Sequence, residues 1–281
     1  MSRRGRMRIV CLCAEGVQWW PQMYSDAVFL EVDFGSKLFA SATLHELEAL
    51  LSSAHSSRYV IQILRSTMGL KLEVCGDADM TRTFAIMSEA FGHEHPYIDA
   101  AFPEHDTPAG RASGGNRMLA IKHADPNTTF LKVTDIDTGL MIAQAKWNIY
   151  KNTIPPELDL DGDFWENDEE KEYAQLLCRE YLIPRRRAIK ASGGNLLSLD
   201  LLTVDPQYQR RGAGRLLVKW GTALADELGF MAVVEATEQG RGLYESEGFK
   251  AIDHWQTRLP EKWAGRGKQG FLWMVRPAKK L

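Results

Sequence analysis

Within 281 residues, the stretch whose composition and spacing point to chemistry is Asp205-Pro-Gln-Tyr-Gln-Arg-Arg-Gly-Ala-Gly214. The apolar Leu196–Val204 before it reads as a buried strand, and Ala213, Leu216, Leu217, Trp220, Leu224 and Leu228 after it recur at helical spacing. A strand, a glycine-bearing turn and a helix together aim backbone N–H groups and the positive helix end at an anion. Gly212 and Gly214 carry no Cβ and let a ligand lie against the backbone, while Arg210, Arg211, Arg215 and Lys219 add positive charge around the same turn. The stretch reads as a phosphate cradle. It is not a P-loop, because Gly214 is followed by Arg215 and Leu216 rather than Lys and Ser/Thr. Nor is it a dinucleotide fingerprint, because Leu217 stands where the third glycine belongs.

Gln209-Arg-Arg-Gly-Ala-Gly214 resembles the [RQ]-x-x-G-x-[GA] motif of the GNAT superfamily of acyl-CoA N-acyltransferases, and Leu243-Tyr-Glu-Ser-Glu-Gly-Phe249 resembles that family's L-Y-x-x-x-G-F segment. The resemblance covers about residues 70–276. It implies a mixed α/β fold whose mostly antiparallel sheet splays between its fourth and fifth strands, with acyl-CoA lying in the split. It implies acetyl-CoA as cosubstrate, bound by Leu202, Thr203 and Val204 of the fourth strand, by the cradle residues Gln209, Arg210, Arg211, Gly212, Ala213, Gly214 and Arg215, and by Thr237. It implies that Tyr244 gives a proton to the leaving thiolate, as a phenol neutral at pH 7 can. Two positions depart from the family: Thr237 and Gly240 stand where many relatives carry Asn and Ala.

The acceptor's proton needs a second group. Asp200 is the one ionisable residue on the fourth strand, and period-two alternation puts it on one face with Ser198, Leu202 and Val204. A carboxylate among leucines can have the raised pKa a base requires, and the alternative is an Asp that faces solvent or pairs with a buried Arg. Glu235 on the fifth strand is the other candidate. No cysteine falls inside the motifs as an acyl-enzyme nucleophile, so direct transfer in a ternary complex is expected.

The remaining segments position or surround these groups. Leu70–Val74, Thr129–Asp135 and Leu140–Tyr150 read as strands, with Asp137-Thr-Gly139 as a hairpin turn. Helices are expected from Asp77 or Asp79 to about Phe91, and within 107–124, where Gly110, Gly114 and Gly115 interrupt or precede one. Residues 151–192 form an insertion between strands three and four. Its acids from Glu157 to Asp168 mimic a calcium loop with the wrong acid at each end, and Pro155-Pro156 deny the entering helix. They read as a solvated loop, or as a lure for a cationic amine, ahead of a helix at 169–181. Pro184-Arg-Arg-Arg187 then either pairs with those acids or meets coenzyme phosphate. After the cradle helix come a strand at 230–236, a short helix at 239–247, and two antiparallel strands from 248 and 270.

His93, His95 and His105 read as loop histidines, and no metal is expected. Residues 1–68 are an extension outside the resemblance, ahead of a GNAT domain at 69–281. Its features are a weak Arg-rich leader, a strand at Ala27–Phe34, and a capping box of Thr43 and Glu46 before a helix at 44–51. A net charge of −3 offers nothing global for nucleic acid, four scattered cysteines suggest a reduced, cytoplasmic compartment, and no apolar run is long enough to cross a bilayer. The expected activity is acetyl transfer to a small amine, with a cationic one favoured. The competing readings are a non-catalytic acyl-CoA-binding module and a calcium-responsive interaction protein.

Overall fold

The computed structural model describes residues 69–279 and, upstream, the backbone of an antiparallel strand pair, Arg4–Arg8 with Glu31–Gly35. The chain divides into two compact units, residues 1–62 and 63–281. The expected strand at 27–34 thus overlaps the second of the paired strands, and the capping-box helix at 44–51 lies outside the described residues.

The second unit is built on seven strands: β1 (Leu70–Val74), β2 (Thr128–Asp135), β3 (Met141–Tyr150), β4 (Leu196–Val204), β5 (Met231–Ala236), β6 (Lys250–Gln256) and β7 (Gly270–Arg276). Their order is β1-β2-β3-β4-β5-β7-β6, with β7 inserted between β5 and β6. Only β4 and β5 run parallel; the other pairs are antiparallel. The helices are α1 (Met80–Phe91), α2 (Pro96–Ala101), α3 (Pro108–Ala124), α4 (Asp168–Tyr181), α5 (Ile183–Ala191), α6 (Ala213–Leu228) and α7 (Arg241–Ser246).

Local signals set most boundaries. Thr107 caps α3 by accepting from Gly110 N at 3.0 Å, and Asn167 caps α4 by accepting from Glu170 N at 3.0 Å. The α3 glycines do not interrupt the helix. Gly114 lies against the Phe84 ring, where a Cβ would come within 2.0 Å, so it permits α1 and α3 to pack closely. Two helices were not expected: α2, opened by Pro96 at its first position, and α5, with Pro184 near its start.

The core has two sides. On one face, α6 places Leu217 and Val218 on Trp147, Leu197 and Leu199, and the Trp147 Nε1–H donates to Leu217 O at 3.2 Å. On the other, Phe84, Met87 and Met118 of α1 and α3 meet Phe130 and Leu201, and Ile189 of α5 meets Leu196 and Val233. A bulge interrupts β4: Lys146 pairs with Leu201 and Trp147 with Leu199, which leaves Asp200 opposite no partner. Side-chain parity therefore reverses there. Leu197 and Leu199 share the α6 face with Leu202 and Val204, while Ser198 and Asp200 belong to the other. The expectation that Asp200 shares a face with Leu202 and Val204 is corrected by that extra residue.

Candidate active site

The bulge and the parallel pair together open the sheet. β4 pairs with β5 only from Leu196 to Leu199, against Met231 to Val234, and beyond that point the two strands separate. The split is a cleft of about 1130 Å³. Its lining has a basic, backbone-rich part around Gln209, Arg210 and Arg215, and an aromatic part with Phe91, His95, Trp255 and Phe271. Leu202–Val204, Thr237 and Tyr244 also line it.

The cradle turn is unusual in its backbone. Arg210 has φ 64° and Gly212 φ 93°, so two left-handed residues alternate just before α6. A non-glycine residue there is held against a cost on the order of 1 kcal/mol, and such turns make anion-binding concavities. The amides of Ala213, Gly214 and Arg215 open α6 and have no carbonyl one turn back to accept them. Gly214 is buried beside β4 and α7: a Cβ there would stand 3.3 Å from Leu243 and 3.6 Å from Val204. Arg215 donates to Ser246 Oγ at 3.1 Å and pairs with Glu247 at 3.1 Å, whereas Arg210 has no ion pair among the described residues. Two cradle residues turn their side chains elsewhere. The Arg211 side chain turns away to donate to Asp135 Oδ2 at 2.6 Å, and the Ala213 side chain is in the core. Thr203 presents its backbone to the split, because its hydroxyl accepts from Gln144 Nε2 at 2.7 Å.

Tyr244 sits on α7 with its ring edge-on to Phe249, 5.8 Å between centroids. Burial pushes its phenol well above the usual range, so it is protonated at neutral pH, and its hydroxyl makes no hydrogen bond among the described residues. The departures at 237 and 240 find a reason here. Thr237 Oγ1 accepts from Gly240 N at 3.2 Å, and an alanine Cβ at 240 would lie 2.9 Å from the Tyr244 ring.

The two candidate bases are brought together, by a residue the sequence reading put elsewhere. Arg185 of α5 is buried and spans both carboxylates: its Nε donates to Glu235 Oε1 at 3.0 Å, its Nη2 to Glu235 Oε2, and its Nη1 to Asp200 Oδ1. Lys146 Nζ donates to the second Asp200 oxygen at 2.7 Å. Burial alone would raise the Asp200 carboxyl, but the Arg185 and Lys146 charges outweigh it and hold it well below the usual range. The raised pKa expected of Asp200 is therefore corrected: two cations keep it ionised. In Glu235, which is 1% exposed, burial wins and its pKa is raised, yet both oxygens are occupied by Arg185. Neither residue lines the cleft.

Pro184, Arg185 and Arg186 thus serve the core and the acids of the insertion rather than the cradle, and Arg187 lies 5.9 Å from the Trp255 ring. Arg186 and Lys190 pair with Glu157 at 3.4 and 2.7 Å; Asp159 pairs with Arg179 and Asp161 with Lys171. No acid between Glu157 and Asp168 lines the cleft. The acid on the aromatic side is Glu94, next to His95. His95 is the site residue that sequence reasoning missed. It is 8% exposed, its Nδ1 has no partner among the described residues, and burial pushes its pKa down to about 4. Its ring stands 4.6 Å from Phe91. The signal available was Pro96, which starts a helix and so fixes the residue before it.

A model of the acetyltransferase (GNAT) domain matches residues 167–251, the span from α4 through the cradle and α7 into β6. The chain carries a GNAT domain. Among solved structures, mosquito arylalkylamine N-acetyltransferase like 5b is similar at TM-score 0.53 and 16% identity, covering 74% of this chain and 99% of that one. Arylalkylamine N-acetyltransferase 2 from Aedes aegypti is similar at TM-score 0.51 and 14% identity, covering 75% and 99%. At these identities the likeness is one of fold. No curated protein matches the chain in sequence. The match takes in β4, the cradle, β5 and α7, the elements on either side of the split, and the likeness of fold extends over the seven-stranded mixed sheet with its one parallel pair.

Proposed function

We propose that the chain transfers an acetyl group from acetyl-CoA directly to a small amine. The observation that carries this reading is the convergence of three features on one cleft: the left-handed cradle with its open amides, the unpaired β4 edge at Leu202–Val204, and the buried Tyr244. An anion at the cradle and an extended arm along the strand edge would leave a thioester near Tyr244. The amine, entering neutral, attacks the carbonyl carbon, the C–S bond breaks, the Tyr244 hydroxyl gives its proton to the departing sulfur, and the proton lost by the nitrogen passes to water and restores the Tyr244 hydroxyl. Cys75 and Cys178 favour direct transfer. Both are buried, both thiols are pushed up by burial (Cys75 to about 11), and neither lines the cleft.

The acceptor reading shifts from the insertion to the aromatic wall. Glu94 offers a negative charge, Phe91, Trp255 and Phe271 offer apolar surface, and His95 offers an unshared ring nitrogen for an amine hydrogen bond. A small cationic amine with an apolar body fits that lining. The test is thiol release from acetyl-CoA over a panel of amines. Arylalkyl or alkyl amines should turn over with kcat/KM at least tenfold above amino acids and other zwitterions. Acetyl-CoA binding without release on any amine would establish the non-catalytic alternative.

A further inference from the structure

Beside the cleft, outside its lining, three side chains converge on one point. His93 Nδ1 lies 2.9 Å and His105 Nε2 3.0 Å from the same oxygen, Asp99 Oδ1, and the three atoms fall within 4.8 Å of one another. Each ring's other nitrogen is also engaged. His105 Nδ1 is 2.9 Å from Ser88 Oγ, which in turn is 2.8 Å from the His105 carbonyl, and His93 Nε2 is 3.4 Å from Asp106 Oδ2.

Proton counting makes this arrangement informative. Four hydrogen-bonding contacts each need a hydrogen: the serine to the carbonyl, the serine to His105, His105 to Asp99, and His93 to Asp99. Neutral rings and one hydroxyl supply three, because a neutral imidazole carries one N–H and a serine one O–H. Whichever tautomers are chosen, one contact remains lone pair against lone pair. If Ser88 donates to the carbonyl and receives from His105 Nδ1–H, the deficit falls between His105 Nε2 and Asp99 Oδ1. An extra proton would close it at the cost of charging His105, which is 1% exposed. One divalent cation held by the two rings and Asp99 closes it without charging either ring.

We propose that Asp99, His93 and His105 bind a divalent transition-metal ion, with zinc the best match. Two imidazoles and one carboxylate are borderline donors suited to zinc and poor for calcium or magnesium. Three protein ligands at distances of about 2 Å leave a fourth position for water. Ser88 and Asp106 act as the outer partners that fix which nitrogen of each ring faces the metal. The ligands come from the α1–α2 loop, α2 and the α2–α3 loop, with Ser88 on α1. The ion would tie together the segments that carry Glu94 and His95 to the cleft, so it would order the acceptor wall without touching the reacting atoms.

The experiment uses the untagged full-length chain, stripped with chelator, dialysed at pH 7.5 and titrated with Zn²⁺ by calorimetry. One ion should bind per chain and raise Tm. His93→Ala, a change at an exposed ring, and Asp99→Asn should each weaken binding at least tenfold and abolish the Tm response. Co²⁺ added to the wild-type chain should give the visible ligand-field bands of a four-coordinate nitrogen–oxygen site, a readout independent of whether any variant folds. No binding by the wild type, Zn²⁺ affinity unchanged in both variants, or Co²⁺ with only its aqueous spectrum would overturn the proposal, and the contacts would then be closed by protons.

Discussion

The two sides of the cleft are made of different material. Around Gln209–Arg215 the chain presents backbone: helix-opening amides, a left-handed turn, and a strand edge that has lost its neighbour. Across from it, residues from the α1–α2 loop and from β6 and β7 present side chains, with His95 wedged among Phe91, Tyr181 and neighbouring rings. A backbone cradle recognises what every acyl-CoA shares, an anionic end and an amide-bearing arm, and it needs only a short contiguous stretch. A side-chain wall recognises an individual acceptor and must be assembled from positions far apart in sequence. Beneath both lies a third element, the Arg185 network, which holds the separated strands at a fixed distance. Substitutions in the three places should therefore differ in what they break.

The largest effect is expected beneath the cleft. Arg185→Met would leave Glu235 buried without its cation and Asp200 with Lys146 alone, and removing one partner of a buried ion pair costs about 3–5 kcal/mol. Denaturant unfolding should show the midpoint falling with the slope unchanged. A loss under about 1 kcal/mol would mean that the network is solvated and does not hold the split.

Tyr244→Phe tests the site itself. It removes one hydroxyl that makes no hydrogen bond among the described residues and keeps the ring, so fold and acetyl-CoA affinity should stay within about twofold while kcat falls on the order of 10²-fold. Unchanged kcat would take the proton-donor role from Tyr244. Asp200→Asn supplies the contrast. A general base would give a defect that shrinks as pH rises, because more amine is already deprotonated. Held low by Arg185 and Lys146, Asp200 is ionised across the assay range, so its defect should be flat with pH. The linkage runs in the same direction. Its folded pKa lies below the unfolded one, so the stability it contributes is present above the unfolded value of about 3.9 and is lost as pH falls toward the folded value. At neutral pH the substitution should cost about 2 kcal/mol of stability, the scale of a hydrogen bond to a charged group.

The cradle side was legible because its determinants are local. Gln209–Gly214 and Leu243–Phe249 are short, and the strands around them follow from alternation and turn residues. The acceptor wall was not. His95, Trp255 and Phe271 are 16 and more positions apart or far beyond, and nothing in their own neighbourhoods marks them as meeting. Asp200 was misplaced by the β4 bulge, an extra residue that leaves no trace in a run of leucines but reverses every side chain after it. Arg185 was read with its neighbours Arg186 and Arg187 as one basic patch. Helical geometry separates them, pointing Arg185 inward and Arg186 toward Glu157. The family resemblance supplied the split itself, which composition and spacing do not encode.

The smallest effect sharpens the comparison most, because it asks whether the cradle is a binding surface or only a turn. Gly214 stands where α6, β4 and α7 meet, with Leu243 3.3 Å from where a Cβ would be and Val204 and Leu202 a little farther. Valine there would press on flexible side-chain ends rather than on backbone, so the fold should survive with a modest shift in Tm. Its methyl groups would occupy the floor between the β4 edge and the helix-opening amides, where backbone approach is required. Acetyl-CoA affinity measured by calorimetry should fall at least tenfold, about 1.4 kcal/mol. A fragment that lacks the pyrophosphate, such as acetylpantetheine, should show a smaller difference between wild type and Gly214→Val. If affinity for the intact coenzyme is unchanged, the glycine serves the packing of α6 on α7, and the anion site must be sought at Arg210 and Arg215 alone.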